Sequence, residues 1–379
     1  MRIKFPGGSY NLVGEPVAAQ KPKVPFNRIA FAAAHVVADP LSTADPSGAP
    51  AVDWECTLAY RTHLLDLGFG IAEAMDTSQR GMGLDWSTAL ELIRRSLDHA
   101  GTRAGQIYSG VGTDHLAAAD ARSIDDVVRA YLEQLQAVQK LGGRVILMAS
   151  RALVRVAKSP ADYEKVYARV LAEADHPVVL HWLGEMFDPA LRGYWGTEDF
   201  AAAMETSLRM IEANKKNVDG IKISLLDDQK EILMRRRLPP EVKMYTGDDF
   251  NYPALIEGDE QGCSHALLGI FDAIGPVASA AFAALGKGDV KKYHGLMAPT
   301  VPLSRLIFRT PTQFYKTGIV FMAWLNGHQD HFIMVNGAQA MRPLPYFIEV
   351  FKLADQARLL RDPELAVRRM KQMLAVYGA

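Results

Sequence analysis

Cysteine is scarce: Cys56 and Cys263 are the only two, and they lie far apart in sequence. They form no C-x-x-C pair, which argues against a disulfide framework and for a reducing, cytoplasmic setting. An excess of one charge is missing too. The 42 Lys and Arg residues meet 43 Asp and Glu, for a net charge of −1, and no basic stripe marks a nucleic-acid partner. Long hydrophobic runs are absent. Patches such as "GIVFMAWLNG" fall short of the ~20 apolar residues that a membrane span needs. The opening "MRIKFPGGSYNLVGEP" lacks the apolar centre of a signal peptide. No G-x-G-x-x-G follows the first strand candidate and no H-E-x-x-H occurs, so the usual dinucleotide and zinc-helix signatures are missing.

What is present is a regular alternation. With 49% hydrophobic and 22% charged residues, the chain has the balance of an ordinary globular protein. Its 379 residues suit one large barrel with extra helices, or two domains. Residues 1–26 read as an extended lead-in or a small hairpin. Strand candidates then follow at 28–37, 69–75, 106–112, 144–150, 177–183, 218–224, 242–247 and 262–269. Between them stand helical patterns with recognisable starts. Asp85 precedes an amphipathic run, Ser123 with Asp126 resembles a capping box, and Ser159 with Pro160 opens another helix. Eight strand–helix units spread over 27–295 predict a parallel (β/α)₈ TIM barrel, with an open doubly wound sheet as the main alternative. From Gly275 the pattern is helical only, which predicts a C-terminal helical extension over 296–379, broken near Asp362–Pro363.

In such a barrel the chemistry gathers at the C-terminal ends of the strands. The polar residues expected there are His35 and Asp39; Asp76, Thr77, Ser78 and Arg80; Thr113, Asp114 and His115; and Ser150 and Arg151. The later strands add His181, Trp182 and Glu185; Lys222 and Ser224; Thr246, Asp248 and Asp249; and Ser264 and His265. In "DGIKIS", Lys222 faces away from Ile221 and Ile223, toward the inside. A desolvated lysine has a lowered pKa, and its neutral amine can attack a carbonyl to form a Schiff base. The plain alternative is a lysine paired with a barrel carboxylate such as Asp248.

Several stretches match one family in order. "FGIAEAMDTSQRGMGLDW" resembles the second-strand G-T-T-G-E segment of the dihydrodipicolinate synthase and N-acetylneuraminate lyase superfamily, whose members are Schiff-base class I aldolases on a TIM barrel. "VDGIKIS" resembles its sixth strand, "KMYTGDD" its seventh and "GCSHALLGIFDAIGP" its eighth. The resemblance spans roughly 27–295 and is closest to a divergent dihydrodipicolinate-synthase-like branch of unknown function. It implies a carbon–carbon lyase, aldolase, synthase or dehydratase acting on a small 2-oxo acid or a sugar-derived carbonyl compound. Lys222 would be the imine-forming nucleophile, and Thr77 and Ser78 would hold the substrate carboxylate. Asp76, Asp248 and His265 would complete the substrate-facing set. Neither an organic cofactor nor a metal is implied, and dimers or tetramers are usual. The family's fifth-strand tyrosine, a proton relay, is replaced here by His181, and the next residue is Trp182. His181 is therefore the candidate proton shuttle. The motif's glutamate position carries Arg80, and a glycine of the eighth-strand motif is His265.

A second class of function fits the same residues. His35, Asp76, Asp114, His115, His181, Glu185, Asp248, Asp249 and His265 are all metal-ligand types, as in divalent-cation sugar isomerases and epimerases. In that reading Lys222 becomes an electrostatic or acid/base residue. A barrel that only binds a ligand or partner is the third possibility.

Overall fold

The computed structural model describes residues 1–379. Two short strands, β1 (Arg2–Phe5) and β2 (Gly8–Asn11), form an antiparallel hairpin. Eight more strands follow: β3 (Ala30–Ala33), β4 (Gly70–Glu73), β5 (Ile107–Val111) and β6 (Arg144–Leu147). They continue as β7 (Val178–Leu183), β8 (Val218–Ser224), β9 (Lys243–Thr246) and β10 (His265–Leu268). All eight pair in parallel, and β10 closes onto β3. The sheet is thus a TIM barrel and not an open doubly wound sheet.

Alternation along the strands sorts the side chains into two cores. Phe31, Ala33, Ala72, Ile146, Val179, Tyr245 and Leu267 fill the inside of the barrel. Residues on the other face, such as Ile71, Ile107, Ile221 and Ile223, join the large apolar layer under the surrounding helices. The helices begin where the sequence cues stand. Asp85 accepts from the Thr88 N–H, and Ser123 and Asp126 form both halves of a capping box. Ser159 makes no side-chain cap bond, and Pro160 alone marks that start.

The first strand is shorter than the predicted 28–37. Beyond Ala33 the backbone leaves the sheet to bond with side chains: the His35 N–H donates to the Asp272 carboxylate at 2.8 Å, and the Val37 N–H to Thr57 Oγ1 at 3.0 Å. The predicted strand at 262–269 loses its first three residues for a similar reason. Asp259 and Gly262 pair in a tight turn, and Gly262 has φ of +145°.

The C-terminal region contains the helices Val290–Met297, Thr300–Ile307, Tyr315–Leu325, Leu344–Gln356 and Pro363–Val376. Thr300–Ile307 was not anticipated. It is short and carries Pro302, which hid a helix in the sequence although Thr300, Leu303, Ser304 and Ile307 share one buried face. The expected break falls just before Pro363, where Asp362 caps the last helix. Every residue of Tyr315–Leu325 is buried. The N-terminal hairpin docks on this layer and not on the barrel: Phe5 packs against Phe351, and Asp355 accepts from Tyr10 Oη at 2.8 Å and from the Val13 N–H at 2.7 Å.

Candidate active site

β8 carries Lys222 inward, level with His181 on β7 and Tyr245 on β9. Gly247 makes room for it, and Gly220 for its neighbour Tyr245. A Cβ on Gly247 would stand 2.7 Å from Lys222 Cε and 2.3 Å from Ser224 Oγ. A Cβ on Gly220 would stand 2.6 Å from the Tyr245 ring, which fills the barrel beneath the lysine. Lys222 is only 8% exposed, and no carboxylate forms an ion pair with it. Burial lowers its pKa from the ordinary lysine value, while the charges of Asp249 and Asp76 oppose the shift.

The amine lies in a small chamber of about 10 Å³. Asp76, Thr77, Ser224 and Asp249 bring polar atoms to it. Phe187, Phe308 and Tyr315 roof it, with Phe308 stacked on Tyr315 at 4.3 Å between ring centroids. Burial raises the pKa of Asp249, and the charge of Lys222 pulls it back. Outside the chamber is a larger cleft of about 310 Å³, which shares Asp76 and Leu183 with it. His181 lines this outer cleft, and its Nε2 lies 3.2 Å from Ser224 Oγ. Burial, together with the neighbouring Lys222 charge, pushes the His181 pKa well below the usual histidine range, so the imidazole is neutral.

The backbone is strained at the ends of the two strands that build this site. Ala74 and Gln79 after β4, and Leu226 after β8, hold φ of 54°, 68° and 53° without being glycine. Such conformations cost roughly 1–3 kcal/mol each and concentrate at functional sites.

Comparison with known proteins adds the family. A family model described as "Protein of unknown function (DUF993)" matches residues 7–379. The chain belongs to the DUF993 family. Among curated proteins, none matches it. Among solved structures, the DUF993 chain resembles YagE from E. coli K12, a prophage protein of the dihydrodipicolinic acid synthase family determined in complex with pyruvate. The TM-score is 0.66 at 18% identity, covering 88% of this chain and 99% of that one. It also resembles the chloride-inhibited dihydrodipicolinate synthase of Acinetobacter baumannii complexed with pyruvate, with a TM-score of 0.63 at 16% identity over 88% and 99% of the two chains. Dihydrodipicolinate synthase DapA-2 of Bacillus anthracis gives 0.62 at 17% identity, over 86% and 98%. At these identities the likeness establishes the shared barrel fold.

In the DUF993 chain several expected site residues lie elsewhere. His265 is the first residue of β10, so it sits at the opposite rim from Lys222. Its Nδ1 accepts from the Ile29 N–H at 3.0 Å, and burial lowers its pKa to about 4. The offset arises because the strand starts three residues later than the sequence suggested. Asp248 does not reach Lys222 either. Its carboxylate accepts from the Phe250 and Asn251 N–H groups at 2.8 and 3.0 Å and shapes the loop, leaving the next residue, Asp249, to face the amine. Thr77 and Ser78 separate: Thr77 lines the chamber, but the Ser78 hydroxyl turns back to the Met75 carbonyl at 2.7 Å. Arg80 is locked by Asp114, Gln134 and the carbonyls of Ala74 and Gly110. Arg151 donates to Asp188 at 2.5 Å on the cleft wall.

The metal-ligand types named from sequence do not converge. His35 bonds to Asp272 at 2.7 Å, Asp114 pairs with Arg80, and no three His, Cys, Asp or Glu side chains form a metal-sized group. Tyr315, Phe308 and Phe187 were missed, because two of them come from the C-terminal layer and share no strand-end pattern. The available signal was a polar start, Tyr-Lys-Thr, on an otherwise apolar run.

Behind β9 and β10, Glu231 is fully buried. Ser264 Oγ donates to its Oε1 at 2.7 Å, while Oε2 has no partner. Burial raises its pKa to about 8, against the hydrogen bond from Ser264. The folded state therefore holds this proton more tightly than the unfolded chain. The resulting stability is complete below the ordinary glutamate pKa and is lost as pH rises through about 8. Glu231→Gln should remove part of the fall in melting temperature between acidic and alkaline buffers. Identical pH slopes in thermal denaturation of the two proteins would show that Glu231 is ionised throughout.

No helix is long and apolar enough to cross a membrane.

Proposed function

We propose that this DUF993 protein is a carbon–carbon lyase or aldolase that forms a Schiff base between Lys222 and a small 2-oxo acid or a sugar-derived carbonyl compound. One observation carries the reading. A desolvated lysine without an ion-pair partner stands at the mouth end of an inner barrel strand. Burying an amine is unfavourable unless it is put to use or paired. A lowered pKa keeps a fraction of it neutral and nucleophilic, and the imine it forms is an electron sink for breaking or making an adjacent carbon–carbon bond. Two of the proteins that share the fold are described in complex with pyruvate, which supports the 2-oxo acid as substrate class.

In this reading the Thr77 hydroxyl binds the acid's carboxylate. Asp76 and Asp249 balance the charge as the amine becomes a cationic imine. The neutral His181 hydrogen-bonds the second carbonyl compound in the outer cleft. The test is borohydride reduction in the presence of pyruvate, followed by peptide mass mapping. A reduced adduct on the Lys222 peptide is the expected result. No adduct, together with an activity that a chelator abolishes, would favour the metal-dependent isomerase instead.

A further inference from the structure

Tyr315 comes from outside the barrel and opens a helix in which every residue is buried. Its first three side chains are polar, so each needs a partner there. Thr317 donates to the Ala338 carbonyl at 2.8 Å. Lys316 donates to the Gln313 carbonyl at 3.1 Å and sits 4.6 Å above the Tyr315 ring. The Tyr315 hydroxyl has a single partner, Thr77 Oγ1 at 2.8 Å, and both residues line the chamber of Lys222. The Tyr315 ring is clamped between Phe308, stacked on it, and Phe187, edge-on at 6.1 Å, so its hydroxyl has a fixed direction. His181, by contrast, faces the outer cleft.

We infer that Tyr315 is the acid–base residue of the lysine chamber, with Thr77 as its hydrogen-bond partner, an inference that rests on the imine reading above. Lys222 Nζ adds to the carbonyl carbon, and a proton moves from nitrogen to the carbonyl oxygen, giving a carbinolamine. The Tyr315 phenol then protonates the carbinolamine hydroxyl. The C–O bond breaks, and the products are water, a protonated imine and a phenolate. The phenolate takes a proton from the carbon next to the imine carbon, which yields the enamine and restores the phenol. Nothing is oxidised or reduced, and no co-reactant is needed. Burial and the nearby Asp76 charge hold the Tyr315 pKa well above that of a free phenol. The phenolate therefore forms only beside the imine's positive charge and gives up its charge readily.

Pyruvate serves as the probe, with two readouts: the borohydride-trapped Lys222 adduct, and deuterium entering the pyruvate methyl group from D₂O, followed by proton NMR. Tyr315→Phe deletes one hydroxyl within the same stack. It should still yield trapped adduct at equilibrium, while methyl exchange falls ~10²–10⁴-fold, the range for losing a positioned acid/base. Thr77→Val, which keeps the side chain's shape, should slow exchange by a smaller factor. His181→Gln should slow it less than Tyr315→Phe does. Near-UV circular dichroism confirms that the aromatic stack persists in each variant. Exchange in Tyr315→Phe at the wild-type rate overturns the role of Tyr315 and leaves the imine intact. A larger loss in His181→Gln than in Tyr315→Phe also overturns it. If the wild-type protein traps no adduct, the imine reading falls and the Tyr315 role falls with it.

Discussion

Lys222→Ala should lose the borohydride-trapped adduct completely and lower turnover by at least ~10³-fold, because covalent catalysis has no substitute for its nucleophile. Without an amine, the carbonyl carbon cannot become an iminium, and the neighbouring bond has nowhere to send its electrons. Lys222→Arg is the sharper comparison. It keeps the positive charge at the mouth but cannot supply a neutral nitrogen nucleophile. If Lys222 acts only through its charge, Lys222→Arg retains much of the activity. If it acts as a nucleophile, Lys222→Arg is as inactive as Lys222→Ala. Activity in Lys222→Arg would therefore refute the imine mechanism even if Lys222→Ala were dead.

Stability should move the other way. Lys222 is desolvated and unpaired, so the folded state bears the strain of burying it. Lys222→Met keeps most of the volume without the amine and should raise the melting temperature while abolishing adduct formation. This opposition between stability and activity is expected at a site built for chemistry. A drop in melting temperature in Lys222→Met would mean that the ammonium is a structural partner for Asp249 or Asp76.

The barrel was legible because its two periodicities are local. "DGIKIS" shows Lys222 on one face and two isoleucines on the other, and the structure keeps that division from Ile221 to Ser224, after a register shift at the start of the strand. Strand ends were less legible. Where β3 stops depends on Asp272, hundreds of residues away, reaching the His35 N–H. The position of His265 depends on a turn at Asp259–Gly262 that no alternation announces. The choice between Asp248 and Asp249 is decided by which carboxylate the loop needs for its own N–H groups. Tyr315 was the least legible, because its place in the chamber is a tertiary contact between β4's loop and the C-terminal layer, at a separation no motif spans.

The most destabilising single change should be Arg61→Met. Arg61 is buried behind β4, where it makes two bonds to Glu73, at 2.9 and 2.8 Å, and a third to the His35 carbonyl. Burial alone would raise the pKa of Glu73. The Arg61 charge, the Ser96 hydroxyl and the Ala74 N–H outweigh it and hold the carboxylate ionised. Removing Arg61 leaves that carboxylate buried without its cation, a loss of about 3–5 kcal/mol by denaturant unfolding. Arg61→Met combined with Glu73→Leu should recover much of it, since an apolar pair of similar volume avoids the desolvation of both ions. The damage from Arg61→Met should also reach the candidate site. Glu73 Oε1 accepts from the N–H of Ala74, the left-handed residue from which the chain turns into Asp76 and Thr77. Loosening that turn should weaken pyruvate binding in the trapping assay while Lys222 remains present. If the double variant regains stability yet still binds pyruvate poorly, the ion pair serves to hold the Asp76–Thr77 turn in register. If both recover together, its role is confined to the fold.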